Sequence, residues 1–220
     1  MNLTEAMSQR HTVRKFTSDP INEDQTRLLY AKLDEINEAH NLMLQLVMDD
    51  AGGVNAFARM FMSSGARNFF VLAAKPEGDY EERLGYAGAE LILYAQTLGL
   101  NTWWIGGTYS MRHVGSLAPD AKVIGIIVVG HGATQGVPHK SRTAEQVSSY
   151  NGEAPEWFKA GVEAALLAPT ALNRQKFTVA GDGRKVSLKY APGPMAGTDQ
   201  GIVKYHFELG AGRANFEWAD

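Results

Sequence analysis

GYAGAELILYAQTLGLNTWWIGG, residues Gly85–Gly107, reads as an apolar helix, a glycine stop, a short extended segment and a Gly-Gly turn. Tyr86, Ala87, Ala89, Leu91, Ile92, Leu93, Tyr94, Ala95 and Leu98 leave almost no polar stripe, and a helix apolar nearly all round is a buried one. The run is too short to span a bilayer and carries Glu90 and Gln96. Gly88 permits close approach of another backbone, and Gly99 suits the left-handed residue that ends a helix. Trp103, Trp104 and Ile105 favour a strand. Gly106-Gly107 then leaves backbone N–H groups uncovered by side chains, so a flat ligand can come close; a plain tight turn is the alternative.

The pattern recurs at the C-terminal end, where residues 201–218 read GIVKYHFELGAGRANFEW. Setting Gly88 against Gly201 puts Gly99 on Gly212, Trp103 on Phe216 and Ile105 on Trp218. The second copy is more polar and has no Gly-Gly turn. Matched glycines in two buried-type helices suggest an internal duplication, against chance likeness between two amphipathic helices.

Working outward, the 220 residues suffice for one sizeable core or for two small half-domains sharing one. Hydrophobic content of 45% and charged content of 20% are those of an ordinary globular chain, and a net charge of −3 gives no reason to expect nucleic acid. With no cysteine, disulfides, thiolate metal sites and cysteine nucleophiles are excluded. MNLTEAMSQRHTVRK lacks an apolar core of the secretory kind, so a cytoplasmic protein is the default expectation.

The spacing predicts a short helix over 2–9, capped by Thr4, and a longer one from Asn22 to about Asn37 with Gln25 completing a capping box. Alternation at Leu42, Leu44, Leu46 and Met48 suggests a strand, and a helix is expected over Asn55–Met62. NFFVLAAK, 68–75, and KVIGIIVVGHG, 122–132, are buried strands; a helix covers 111–118. PEGDYEERL is a loop into the central helix, and 132–147 is a long polar connection. Pro155 opens a helix that ends before Pro169. QKFTV and KVSLKY flank Gly-Asp-Gly as a hairpin, and APGPMAGTD leads into the last helix. Helices alternating with strands indicate an α+β or α/β domain.

Four clusters can carry chemistry. On an extended strand Arg10, Thr12 and Arg14 face one way, with His11 and Lys15 between and beyond them; they offer two guanidinium forks to phosphate oxygens or ring carbonyls, or form a solvated basic strand. Lys140 and Arg142 are also two apart and can face one anion, unless their loop is simply mobile. In APTALNRQKF, 168–177, Asn173 and Gln175 lie on one side of an incipient strand, where side-chain amides suit the imide edge of a heterocycle; a helix C-cap with turn-forming Asn is the alternative. Trp104-Ile105-Gly106-Gly107 is the fourth. The six histidines show no HxxxH or carboxylate-paired spacing, so no metal is expected. Serine-elbow, dinucleotide and P-loop motifs are absent.

Together the clusters resemble the FMN-dependent nitroreductase family. Its Arg-x-Ser-x-Arg motif reads Arg10-His11-Thr12-Val13-Arg14 here, with Thr for Ser. Its Ala-Pro-Ser-x-x-Asn-x-Gln-Pro-Trp segment reads Ala168-Pro169-Thr170-Ala171-Leu172-Asn173-Arg174-Gln175-Lys176-Phe177. Its Leu-Gly-Leu-Gly-x-x-Trp-Ile-Gly segment reads Leu98-Gly99-Leu100-Asn101-Thr102-Trp103-Trp104-Ile105-Gly106. An Ile-Gly-Tyr-Pro strand end and a later Lys-x-Arg are matched by Val129-Gly130-His131-Gly132 and Lys140-Ser141-Arg142.

One departure stands out. Usual members carry the Asn-x-Gln segment early, and give it across a homodimer interface to a neighbour's FMN. Here it follows the Lys-x-Arg loop. The resemblance therefore implies a pseudo-dimer of two fused half-repeats: residues 1–150 as a first half and 151–220 as a shortened second half completing one FMN site. The implied fold is α+β, a mixed or antiparallel sheet surrounded by helices, with a monomer plausible and a homodimer open.

The implied function is ping-pong hydride transfer from NADH or NADPH through FMN to a small-molecule acceptor such as a nitroaromatic or quinone. No side-chain acid or base is required, the chemistry lying at N5 of the flavin. By this likeness Arg14 stabilises the charge of reduced flavin, and Arg10, Thr12, Lys140 and Arg142 hold phosphate and ribityl, with His11 beside them. Trp104, Ile105, Gly106 and Gly107 approach N5 and O4. Pro169, Thr170, Ala171, Asn173 and Gln175 reach the flavin from the second half. An FMN-binding sensor or store, and a cofactor-free interaction module, are the other readings.

Overall fold

The computed structural model describes residues 1–219, which form two compact units. The first comprises Met1, Gln9–Tyr80 and Leu91–Pro138; the second comprises Asn2–Ser8, Glu81–Glu90 and, of the described residues, 139–219. In chain order the helices and strands up to residue 130 are α1 (Leu3–Gln9), α2 (Glu23–His40), β1 (Gln45–Val47), α3 (Ala56–Phe61), β2 (Phe69–Ala74), α4 (Tyr80–Thr97), β3 (Asn101–Ile105), α5 (Met111–Leu117) and β4 (Lys122–Gly130). Then come α6 (Ala144–Val147), β5 (Ser148–Asn151), α7 (Glu156–Ala165), β6 (Phe177–Asp182), β7 (Lys185–Tyr190), α8 (Ala196–Ala211) and β8 (Glu217–Trp218).

The first unit is built on an antiparallel sheet of order β1-β2-β4-β3. All six residues of β2 are buried, so both faces of the sheet are covered, as its uninterrupted apolar run demands. Val13, Phe16, Val54, Phe69, Val71, Trp103, Ile105, Ile126 and Val128 form one core. The capping box of α2 is present: the Asn22 side chain accepts the Gln25 N–H, and the Gln25 side chain accepts the Asn22 N–H.

The second unit holds a mixed sheet, β5-β6-β7-β8, with β6 and β7 antiparallel and both outer pairs parallel. Against it α7 and α8 pack through rings: Phe158, Phe207, Phe216 and Trp218 make edge-on and tilted contacts with centroids 5.0–5.9 Å apart. Glu81–Glu90, the part of α4 inside this unit, cross α8 closely. A Cβ at Gly85 would overlap the Thr198 carbonyl, and one at Gly201 would overlap the Glu82 carbonyl. Polar bonds flank the crossing: Tyr86 Oη donates to Glu208 at 2.7 Å, Gln200 to Glu82 at 2.6 Å, and Lys204 pairs with Glu82.

The α+β class with sheets clad in helices stands, and several local expectations move. Asn2, not Thr4, caps α1, through reciprocal bonds with Glu5. The central helix starts at Tyr80, so Tyr80–Leu84 are helical where a loop is expected; two acids in its first turn favour that start. The long connection ends in α6, which has its own capping box at Thr143 and Gln146. Pro155 is the N-cap of α7, not its first helical residue. Gly99 does take a left-handed φ of 78° just past α4. A division at residue 150 would fall inside β5, which pairs with β6 in the second unit.

Candidate functional site

In the first unit the basic stretch is an irregular strand held on three sides. Val13 N–H donates to Thr102 of β3, Phe16 N–H to Ser64, and Thr17 N–H to His131. These bonds leave alternate side chains to face differently. Arg10 is 5% exposed, and its Nε is buried without a hydrogen-bond partner. Burial pushes its pKa down to about 10. Arg14 is exposed and lies over the Trp103 ring, 5.7 Å from its centroid. His11 and Thr12 are half-buried.

Trp104-Ile105-Gly106-Gly107 runs off the end of β3, with Ile105 buried and Gly107 exposed; a Cβ at Gly107 would meet nothing within 4 Å. The Gly-Gly turn is therefore open at its outer residue, as a backbone surface for a flat ligand requires.

In the second unit, Lys140 and Arg142 are exposed on a loop that the Pro169–Gln175 segment ties down. The Gln175 side chain is 1% exposed. Its Oε1 accepts the Arg142 N–H at 2.7 Å and its Nε2 donates to the Leu166 carbonyl at 2.8 Å. Ser141 Oγ donates to the same carbonyl at 3.1 Å, with His139 Nε2 also 3.1 Å from it. Asn173 Nδ2 donates to the Lys140 carbonyl at 2.6 Å, while its Oδ1 is buried with no partner. Both polar ends of Gln175 are thus engaged within the unit, and Asn173 keeps one acceptor unsatisfied.

The segment is not the extended strand expected. Ala171–Asn173 is a short 3-10 turn, and Leu172, Asn173 and Gln175 have φ of 52°, 52° and 47°. Left-handed geometry costs a non-glycine residue about 1–2 kcal/mol, least for Asn. Leu172 adopts it while 82% exposed, so no burial of its own side chain offsets the cost.

What holds the turn is a carboxylate that sequence reasoning misses. Asp199, 4% exposed in α8, accepts the Ala171 N–H at 2.8 Å and the Tyr190 hydroxyl at 2.7 Å. Burial raises the Asp199 pKa against the opposing pull of these two donors. Burial, then the carboxylate, pushes Tyr190 up to about 12. Thr170 Oγ1 accepts the Gln175 N–H at 3.2 Å, closing the turn from the other side. An acid in the first turn of a predicted helix is too common a feature to announce this role.

Among the described residues no group of three or more His, Asp or Glu could hold a metal ion, and no helix is long and apolar enough to cross a membrane.

Residues 2–211 match the family described as "Putative TM nitroreductase", and the chain belongs to that nitroreductase family. A nitroreductase structure from Thermotoga maritima aligns over 97% of this chain and 85% of its own, with a TM-score of 0.67 at 25% identity. A nitroreductase from Desulfovibrio desulfuricans, in complex with FMN, aligns over 70% of this chain and 98% of its own, with a TM-score of 0.53 at 17% identity. An NADH dehydrogenase/NAD(P)H nitroreductase from Bacteroides thetaiotaomicron aligns over 66% and 95%, with a TM-score of 0.50 at 16% identity. At those two identities the likeness is one of fold. No curated protein matches the sequence.

Proposed function

We propose that this chain is an FMN-dependent oxidoreductase that takes hydride from NADH or NADPH and passes it to a nitroaromatic, quinone or similar small acceptor in a ping-pong sequence. The observation that carries the reading is Arg10. A buried guanidinium with an unsatisfied Nε is costly, and an anionic ligand removes that cost. Asn173 makes the same argument in the second unit, since its buried, unpaired Oδ1 suits a ring N–H.

Bound FMN would supply the redox chemistry, taking up and releasing two electrons at N5. The chain's own residues then bind and tune. Arg10 and Thr12 in the first unit offer charge and hydrogen bonds to phosphate and ribityl oxygens, and Lys140 and Arg142 in the second unit carry donor chemistry of the same kind. Arg14, preset over Trp103, offers a cation to the negative charge that develops on reduction. Gly106 and Gly107 offer an uncovered backbone. Gln175 and Asp199 hold the Lys140–Arg142 loop and the 171–175 turn in place before any ligand arrives, which lowers the ordering cost of binding.

The reading includes descent from two fused half-repeats, so that one chain suffices. Thr198 lies three residues before Gly201, as Gly85 lies three before Gly88, so the two are counterparts, and they meet backbone to backbone. Contact between a residue and its own counterpart is what a two-fold relation produces.

The test is the visible spectrum of the purified chain after loading with FMN and removing the excess, before and after anaerobic NADH or NADPH. One retained flavin per chain that bleaches with nicotinamide supports the proposal. A retained band that does not bleach shifts the reading to a sensor or store, and no retained band defeats it.

A further inference from the structure

The first unit contains a second cationic feature that the reading above leaves unused. A pocket of about 270 Å³ is lined by Arg59, Ser63, Ser64, Gly65 and Arg67, with no carboxylate on its wall. That size suits a subsite rather than a whole dinucleotide. It adjoins the strand that carries Arg14: Ser64 N–H donates to the Arg14 carbonyl at 3.1 Å, and Phe16 N–H to the Ser64 carbonyl at 2.9 Å. Lys15 is the bridge partner of Ser64 in this parallel pairing and is exposed, so a third cation is carried on the neighbouring strand.

The neighbouring acid makes no ion pair with either arginine. Asp50, whose N–H is bonded to the Arg67 carbonyl, spends its carboxylate on His113 Nε2 and the Gly52 N–H, both at 2.6 Å. Arg59 uses one guanidinium nitrogen on the Ala51 carbonyl at 3.2 Å, which fixes the head group at the pocket's rim. Two guanidinium groups and the Ser64 hydroxyl, with a nearby ammonium and no acid on the wall, match the charge and donor needs of a phosphate; the Ser63 hydroxyl is spent on the Ala58 carbonyl at 3.2 Å.

We propose that the pocket between Arg59 and Arg67 binds a phosphate of the pyridine-nucleotide donor. The proposal rests on the donor reading above. Two donor groups share this chemistry, the 2′-phosphate of NADPH and the pyrophosphate common to both nucleotides, and the probes separate them.

The experiment titrates the full chain with 2′,5′-ADP and with 5′-ADP by calorimetry at low and moderate salt, in wild type and in the Arg59→Gln/Arg67→Gln double variant. Both positions are exposed, so the variant is expected to fold, and its unchanged FMN retention checks this independently. We expect the double variant to weaken 2′,5′-ADP about tenfold or more, a loss of about 1.4 kcal/mol, with wild-type affinity falling as salt rises. Loss confined to 2′,5′-ADP assigns the 2′-phosphate and a preference for NADPH. Equal loss for both probes assigns the adenosine 5′-phosphate that they share, which is the adenosine side of the donor's pyrophosphate. Unchanged affinity in the double variant, or no binding of either probe to wild type, overturns the subsite. The outcomes separate the two claims: FMN retained and bleached with an unaltered donor KM in the double variant sinks the subsite alone, whereas arginine-dependent 2′,5′-ADP binding by a chain that retains no FMN sinks only the redox reading.

Discussion

Asp199 gives the sharpest perturbation. Replacing it by Ala removes the acceptor from two donors, the Ala171 N–H at 2.8 Å and the Tyr190 hydroxyl at 2.7 Å. An orphaned donor costs about 1–3 kcal/mol; both groups are half-buried, so water relieves part of it, and about 2–4 kcal/mol is expected in all. Asp199→Asn is the informative contrast. It keeps the shape and a carbonyl acceptor while removing a charge that burial disfavours, so its cost at neutral pH should stay within about 1 kcal/mol.

The pH dependence has a definite sign. A carboxyl whose folded pKa lies above its unfolded value binds its proton more readily when folded. Stability from this group therefore falls as pH rises from the ordinary carboxylate range, about 4, through the raised folded value, and is level above it. Urea unfolding of wild type, Asp199→Asn and Asp199→Ala between pH 4 and 8, followed by Trp157 and Trp218 fluorescence, measures all three quantities. The stability difference between wild type and Asp199→Asn should shift against wild type as pH rises. If Asp199→Asn is as damaging as Asp199→Ala, or the two pH profiles are parallel, the account of a desolvated acceptor is wrong.

Three further outcomes are expected. Arg10→Met should reduce FMN affinity by at least the ~1.5–3 kcal/mol of a charged hydrogen bond without lowering the Tm of the ligand-free chain, because the wild-type guanidinium is already under-satisfied; equilibrium dialysis and a thermal melt check both halves. Gln175→Ala should speed hydrogen exchange at the Arg142 amide and weaken FMN binding, both readable by exchange mass spectrometry and titration, since the amide holds that loop from beneath. Gly201→Ala should destabilise the second unit by about 1–3 kcal/mol or more, seen as a Tm drop, because the new methyl meets backbone of α4 that cannot rotate away.

The elements whose sequence has one dominant period are the ones legible in advance. β2 and β4 are apolar runs with both faces to bury, and α2 announces itself through Asn22 and Gln25. The misplacements all concern boundaries where two signals compete. Tyr80–Glu82 look polar enough for a loop, yet acids in a first turn are favourable, and Glu82 is tied by Lys204 and Gln200 from α8, more than a hundred residues away. The short motifs single out Arg10, Arg14, Lys140, Arg142 and Asn173 because each side chain carries its own chemistry, and the fold leaves a buried polar atom of Arg10 and of Asn173 without a partner.

What the motifs hide is how those residues are held. Gln175 reads from the sequence as an amide for a ligand, and in the fold it is buried, with one end on the Arg142 N–H and the other on the Leu166 carbonyl. Leu172 and Gln175 sit in left-handed geometry that no propensity scale would assign to them, with Asn173, which tolerates it best, between them. That geometry persists because Asp199 and Thr170 over-determine it from opposite ends of the turn, one through the Ala171 N–H and one through the Gln175 N–H. Strain maintained in this way, on an exposed Leu172 that gains nothing from burial, serves no stability purpose of its own. Its consequence is to fix one amide end of Asn173 on the Lys140 carbonyl and leave the other without a partner, the atom that the proposed FMN reading assigns to a ring N–H.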